Sequence, residues 1–223
     1  CGAAGRAGYV RGMTEKAIHL DAETARAIAA GRAWNLFAAL APQQAGGAWA
    51  LRAFAPGAER VAAVALDDGA EIAELEAGPE PGLFAAPIPG PPPRHRFRCR
   101  NRDAEWFLGN PYQFGPVLGE MDEHLIGEGS HQRLYERLGA HPMTHEGVEG
   151  THFAVWAPAA KRASVVGPFN DWDGRRDVMR PRGSSGVWEI FVPGVGEGAV
   201  YKYEILGADG ALQPLKADPV GFG

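Results

Sequence analysis

Cysteine is nearly absent: Cys1 and Cys99 are the only two thiols in 223 residues. Two are too few for a disulfide framework, and a reducing cytoplasm is the expected setting. No apolar run approaches the roughly 18 residues of a membrane span, and no basic-then-apolar leader opens the chain, so no membrane is expected as a partner. The chain begins on Cys1. It is expected to start within a longer reading frame or after processing, and not at a lipid-bearing cysteine. Strong charge of one sign is missing too, with 22 Lys and Arg against 27 Asp and Glu for a net −5. Such a chain exerts no long-range pull on nucleic acid, and a neutral polysaccharide needs none. There is no Gly-rich phosphate loop, nucleophile elbow or Cys-x-x-Cys, so neither catalytic residues nor a cofactor is expected in this chain.

What is present is 45% hydrophobic and 22% charged residues, the composition of a soluble globular protein of one large or two small domains. Residues 1–13 are small, Gly-rich and aperiodic, and are expected to be a disordered tail. Ala17, Leu20, Ala25, Ile28 and Ala29 then recur at helical spacing, with Asp21 as cap of Ala22–Ala30 and Gly31 after its end.

An internal repeat follows. Leu51-Arg-Ala-Phe-Ala-Pro-Gly-Ala-Glu-Arg-Val61 matches Phe153-Ala-Val-Trp-Ala-Pro-Ala-Ala-Lys-Arg-Ala163, and Gly82–Gly90 matches Gly186–Gly194. Arg96-Phe-Arg answers Lys202-Tyr-Glu, and Asn110-Pro-Tyr-Gln-Phe answers Asp218-Pro-Val-Gly-Phe. Blocks preserved in order over so long a period mean a duplicated domain with a core in each copy. Each copy consists of short alternating runs broken by Gly and Pro. The expected fold is therefore all-β: two tandem immunoglobulin-like sandwiches, residues 14–115 and 150–223, joined by a partly helical connector, 116–149. In that connector Leu134-Tyr-Glu-Arg-Leu138 is expected to form one or two helical turns ended by Gly139.

The candidate chemistry lies in Phe169-Asn-Asp-Trp-Asp-Gly174. Trp172 sits in a polar loop, where an indole can stack on the C–H face of a sugar, and it is the main candidate contact. Trp156 and Trp188 lie within strand patterns and are expected in the core. Asn170 either hydrogen-bonds sugar hydroxyls or closes the turn on its own backbone. Asp171 and Asp173 are paired carboxylates, but within one tight loop they are read as turn formers and not as a hydrolytic pair. The first copy has Leu66-Asp-Asp-Gly69 at this place and no aromatic. Five histidines crowd residues 124–152, yet no metal frame joins them and no metal is expected. Arg94-His-Arg-Phe-Arg-Cys-Arg-Asn-Arg102 alternates strictly, which fits a half-buried strand with a solvated outer face better than a nucleic-acid reader.

Trp-Ala-Pro-x-Ala, a short strand and Phe-Asn-x-Trp-Asp-Gly, together with Leu134-Tyr-Glu-Arg-Leu-Gly-Ala-His141 and Leu215-Lys-Ala-Asp-Pro219, resemble the N-terminal region of bacterial 1,4-α-glucan branching enzymes. In that family a first β-sandwich is followed by a family 48 carbohydrate-binding module. The resemblance implies a non-catalytic fragment that binds α-1,4-glucan (glycogen, amylose, maltooligosaccharide), with a catalytic (β/α)8 barrel expected C-terminal to it. It also implies that Lys202, in a Tyr-Lys-Tyr strand, supports the bound sugar. A second tryptophan that pairs with the first in regulatory glycogen-binding modules has no counterpart near Leu212-Gln213. The family pattern Asp-Pro-Phe followed by Leu-Gly-x-His is replaced here by Trp34-Asn-Leu-Phe-Ala-Ala-Leu-Ala-Pro42. The alternatives are a stand-alone glucan-binding regulatory module, or the N-terminal part of a debranching enzyme or trehalose-releasing hydrolase.

Overall fold

A computed structural model describes residues 18–45 and 47–221. The expected tail and the start of the first helical stretch lie outside the described residues. The chain divides into two units. Among the described residues, 18–30 and 37–113 form the first, and 31–36 and 114–221 form the second.

The first unit opens with helix α1 (Ala22–Ala29). The Asp21 carboxylate accepts the backbone N–H groups of Glu23 and Thr24 at 3.1 and 2.9 Å, so the cap forms where the sequence predicts it. Helix α2 (Leu36–Leu40) follows, and then strands β1 (Gln43–Ala45), β2 (Ala48–Phe54), β3 (Arg60–Ala65), β4 (Glu71–Ala77), β5 (Leu83–Ile88), β6 (His95–Arg100) and β7 (Glu105–Gly109). Their order is β1-β2-β5-β4-β3-β6-β7. β4 pairs with β3 along its first part and with β5 at Glu76 and Ala77, so one sheet passes into the next and the two close on a common core. Leu51, Ala63, Leu75, Phe84, Phe97, Cys99 and Leu108 fill that core. His95, Phe97 and Cys99 point inward as the alternation requires. On the other face Arg98 meets Glu71 at 2.5 Å, Arg100 pairs with Glu105, and Arg96 lies 3.9 Å over the Phe107 ring. Glutamates counter two of these three arginines and reduce the positive charge free for phosphate.

The second unit contains α3 (Glu120–Gly127), β8 (Gly139–His145), β9 (Val148–Trp156), β10 (Arg162–Val166), β11 (Arg180–Arg182), β12 (Val187–Pro193) and β13 (Lys202–Leu206). One sheet has the order β11-β12-β9-β8, and the other pairs β10 with β13. The all-β expectation is met, and the duplication is visible residue by residue. Leu51 pairs with Ala86 in the first unit, and their counterparts Phe153 and Ile190 pair in the second. Val61 pairs with Cys99, and their counterparts Ala163 and Ile205 pair likewise.

The stretch 116–149 is more than the connector expected from its Gly, His and Pro content. It carries α3, one 3-10 turn at Leu134–Glu136 and strand β8, which pairs with β9 from Gly139↔Ala154 to His145↔Val148. Pro142 lies in β8, which is an edge strand, and an edge tolerates the missing N–H. Leu118, Ile126 and Leu138 pack on Ala154 and Val187. Glu189 draws residues 117 and 118 onto the sheet. Its buried carboxylate accepts the N–H groups of Val117 at 3.2 Å and Leu118 at 2.9 Å, faces His152 Nε2 at 3.0 Å, and lies 3.2 Å from Arg182 Nε.

Candidate functional site

The two copies differ most in the link after their second shared strand. In the first unit a tight turn joins β3 to β4, closed by the Ala65 N–H on Ala70 O at 2.9 Å. The second unit has in its place the loop 167–177, which leaves β10, folds back beside it and rejoins the sheet through a bridge between Val178 and Ser164.

Three features make this loop stiff. Gly167 begins it where only a hydrogen fits, since a Cβ there would stand 2.5 Å from Val200 O. Asn170, 1% exposed, accepts the Gly167 N–H at 3.0 Å and donates to Val165 O at 2.9 Å and to Asp177 Oδ2 at 2.7 Å. Asp173 grips Arg175 through two parallel bonds of 2.9 and 2.7 Å, and Asp171 meets Arg176 at 2.9 Å. Burial works against ionisation of Asp173, but the hydrogen bonds and charge of Arg175 outweigh it and hold the carboxyl below the usual range. Burial pushes the Asp177 carboxyl up, although Asn170 and Arg176 oppose that shift. Both carboxylates beside Trp172 are therefore engaged by arginines, and no opposed pair stands across a space for a sugar.

At the tip, Asp171 and Trp172 adopt left-handed backbone, φ 57° and 58°. For a residue other than glycine that conformation costs about 1–2 kcal/mol. The backbone is held there by the Trp172 N–H on Gly167 O at 3.0 Å. The indole remains 39% exposed, a large apolar ring offered to solvent by a braced loop.

The loop crosses the outer face of the β10–β13 sheet. Ser164 Oγ donates to Gly174 O at 2.7 Å, and the Gly174 backbone lies against the Glu204 carboxylate. Lys202 pairs with Val166 and Glu204 with Ser164, so Lys202 is exposed on that same face while Tyr203 points into the core. Trp172 and Lys202 therefore share one face of the unit. Asn170 lies beneath it with its amide occupied by the loop, as the turn-closing alternative requires. The expectation for Trp156 fails. It is 57% exposed, its N–H donating to Ser185 O at 3.1 Å, whereas Trp188 is buried as expected. A cleft of about 430 Å³ along β8, lined by His141, Thr151, Phe153, Glu197 and Tyr201 among others, includes none of the predicted site residues. Among the described residues no group of three His, Cys, Asp or Glu side chains is placed to hold a metal.

The fold and this face define a class: tandem β-sandwiches, the second displaying an aromatic ring on a stiff loop beside a lysine-bearing strand, as a carbohydrate-binding module does. Comparison with known proteins agrees. Residues 137–221 match the carbohydrate-binding module 48 (isoamylase N-terminal domain) model, and residues 21–112 match that of the N-terminal domain of the alpha-1,4-glucan branching enzyme GlgB. The chain belongs to the N-terminal region of the 1,4-α-glucan branching enzyme family. It is 52% identical over 208 residues to the 1,4-alpha-glucan branching enzyme GlgB of Roseobacter denitrificans, covering 92% of this chain and 28% of that protein. It is 53% identical over 201 residues to GlgB 1 of Rhizobium johnstonii, covering 90% and 27%. The chain thus spans little more than a quarter of the length of these relatives. A crystal structure of pullulanase complexed with maltotriose, from Anoxybacillus sp. LM18-11, aligns over 77% of this chain and 24% of that one at 16% identity and a TM-score of 0.30. Among the described residues no helix is long and apolar enough to cross a membrane.

Proposed function

We propose that the second unit binds α-1,4-glucan through Trp172, with Lys202 supporting the bound chain, and that Asn170 acts from below by fixing the loop. The observation that carries this reading is an exposed indole held on two successive left-handed residues. Backbone strain of that kind persists where the surroundings over-determine it, as at ligand clamps. A flat, fixed ring suits a sugar face, and stacking needs no charge from a chain of net −5. The test is electrophoresis of the chain in a native gel containing glycogen. Retardation is expected for the parent and lost in Trp172→Ala, and equal retardation of the two refutes the assignment.

On this reading the chain is the non-catalytic N-terminal part of a branching enzyme that works in glycogen biosynthesis in the cytoplasm. A barrel beyond it would cut an α-1,4 bond and transfer the fragment to a 6-hydroxyl. The role of this part would be to raise the effective concentration of glucan near that barrel. The relatives' names and the partial coverage support that assignment over a stand-alone module or a piece of a debranching enzyme or trehalohydrolase. The chain alone, incubated with amylose, is expected to leave the content of α-1,6 linkages unchanged.

A further inference from the structure

Residues 31–36 group with the second unit although they precede the first unit's strands in sequence. Arg162, 1% exposed, holds them there, its guanidinium donating to Gly31 O and to Glu204. Gly31 has φ +68° and packs so closely that a Cβ would meet Arg162 Nη1 at 3.0 Å and Arg175 Cγ at 3.1 Å. Arg175 is the partner of Asp173 and stands three residues after Trp172, and Trp34 stands three residues after Gly31. A span of three residues reaches at most about 11 Å, so the backbone of each tryptophan lies within that reach of its own end of the Gly31–Arg175 contact. Trp34 is 53% exposed. A ring of that size left in water, on a segment anchored by a buried guanidinium, lacks the burial that would explain it as core.

The geometry points to a two-ring α-glucan site in which Trp34 supplies a second stacking surface beside Trp172, so that the face reads several successive sugars of one chain. This rests on the reading of Trp172 as a glucan contact. Each indole covers about one pyranose ring, so the second ring matters only for a ligand long enough to reach both. The consequence is selectivity for chain length, from a residue in the stretch where this sequence departs from the family pattern.

Calorimetric titration of the whole chain with maltotriose and with maltoheptaose tests it. Loss of one stacked ring is expected to weaken maltoheptaose binding about tenfold in Trp34→Ala, to change maltotriose binding by less than about twofold, and to be largely restored in Trp34→Phe. The ratio of the two affinities does not depend on the folded fraction, so a destabilised variant still reports. If Trp34→Ala binds maltoheptaose as the parent does, or loses both sugars equally, the two-ring site is wrong while Trp172 stands, provided that Trp172→Ala loses both. A parent that binds neither sugar, or a Trp172→Ala variant that binds both unchanged, overturns the underlying reading as well.

Discussion

Replacing Asn170 by alanine separates the two roles that its sequence position allowed. The side chain serves three buried groups at once: the Gly167 N–H, the Val165 carbonyl and the Asp177 carboxyl, at 3.0, 2.9 and 2.7 Å. A buried polar group that loses its partner costs about 1–3 kcal/mol. Relaxation of the loop returns part of that, and a net loss of about 3–5 kcal/mol follows for three such groups. For a unit of this size that lowers the melting temperature by about 10–20 °C. The loop that aims Trp172 is released in the same step, so glucan affinity falls with stability although Asn170 touches no sugar. Differential scanning calorimetry and titration with maltoheptaose measure the two effects on one sample. A melting temperature within about 1 °C of the parent, combined with loss of glucan binding, refutes this reasoning and makes Asn170 a direct ligand contact.

Trp172→Gly relieves the left-handed backbone and should stabilise the second unit by about 1 kcal/mol while removing glucan binding, a trade visible in one melting curve and one titration. Burial raises the pKa of Glu189, but the hydrogen bonds from His152 and the Leu118 N–H, with the charges of His152 and Arg182, outweigh it and leave a net lowering. A depressed carboxyl stabilises the fold above its unfolded value and loses that contribution as pH falls through the folded value. Glu189→Gln should therefore flatten the acid limb of the stability curve and cost about 1–3 kcal/mol near neutrality, as Arg182 loses one of its two carboxylate partners and keeps Glu123 at 3.1 Å. Asp177 carries the opposite sign. Its raised folded pKa means a contribution present at low pH and lost as pH rises, so Asp177→Asn should gain stability near pH 7 and none in acid, by urea titration at both values.

The large features were legible in the sequence because they rest on short-range patterns. Asp21 and the residues behind it announce a capped helix, and the paired blocks around Leu51 and Phe153 carry the strand registers of both sandwiches. The exposure of Trp172 was legible because polar turn formers surround it. Asn170 was ambiguous, since an amide that binds sugar and one that closes a loop look alike until its three partners are seen. β8 was hidden by Pro142, which an edge strand accepts and an inner strand would not. Trp156 shares the outer face of β9 with Ala154, but it ends 57% exposed where Ala154 is covered by Leu118, Ile126 and Leu138, and alternation alone cannot show which part of a face gains a cover. Trp34 was unreadable for a similar reason. Nothing local marks that residues 31–36 belong with strands more than a hundred residues later, and only the bond from Arg162 to Gly31 reveals it.

The central claim is that a braced indole on the second unit holds an α-glucan chain. Titration of the chain and of its Trp172→Ala variant with maltoheptaose, at equal folded fraction by calorimetry, tests it most directly. The account predicts measurable binding by the parent and a loss of at least about tenfold in the variant, the worth of one stacked aromatic ring. Equal affinity in the two would contradict it.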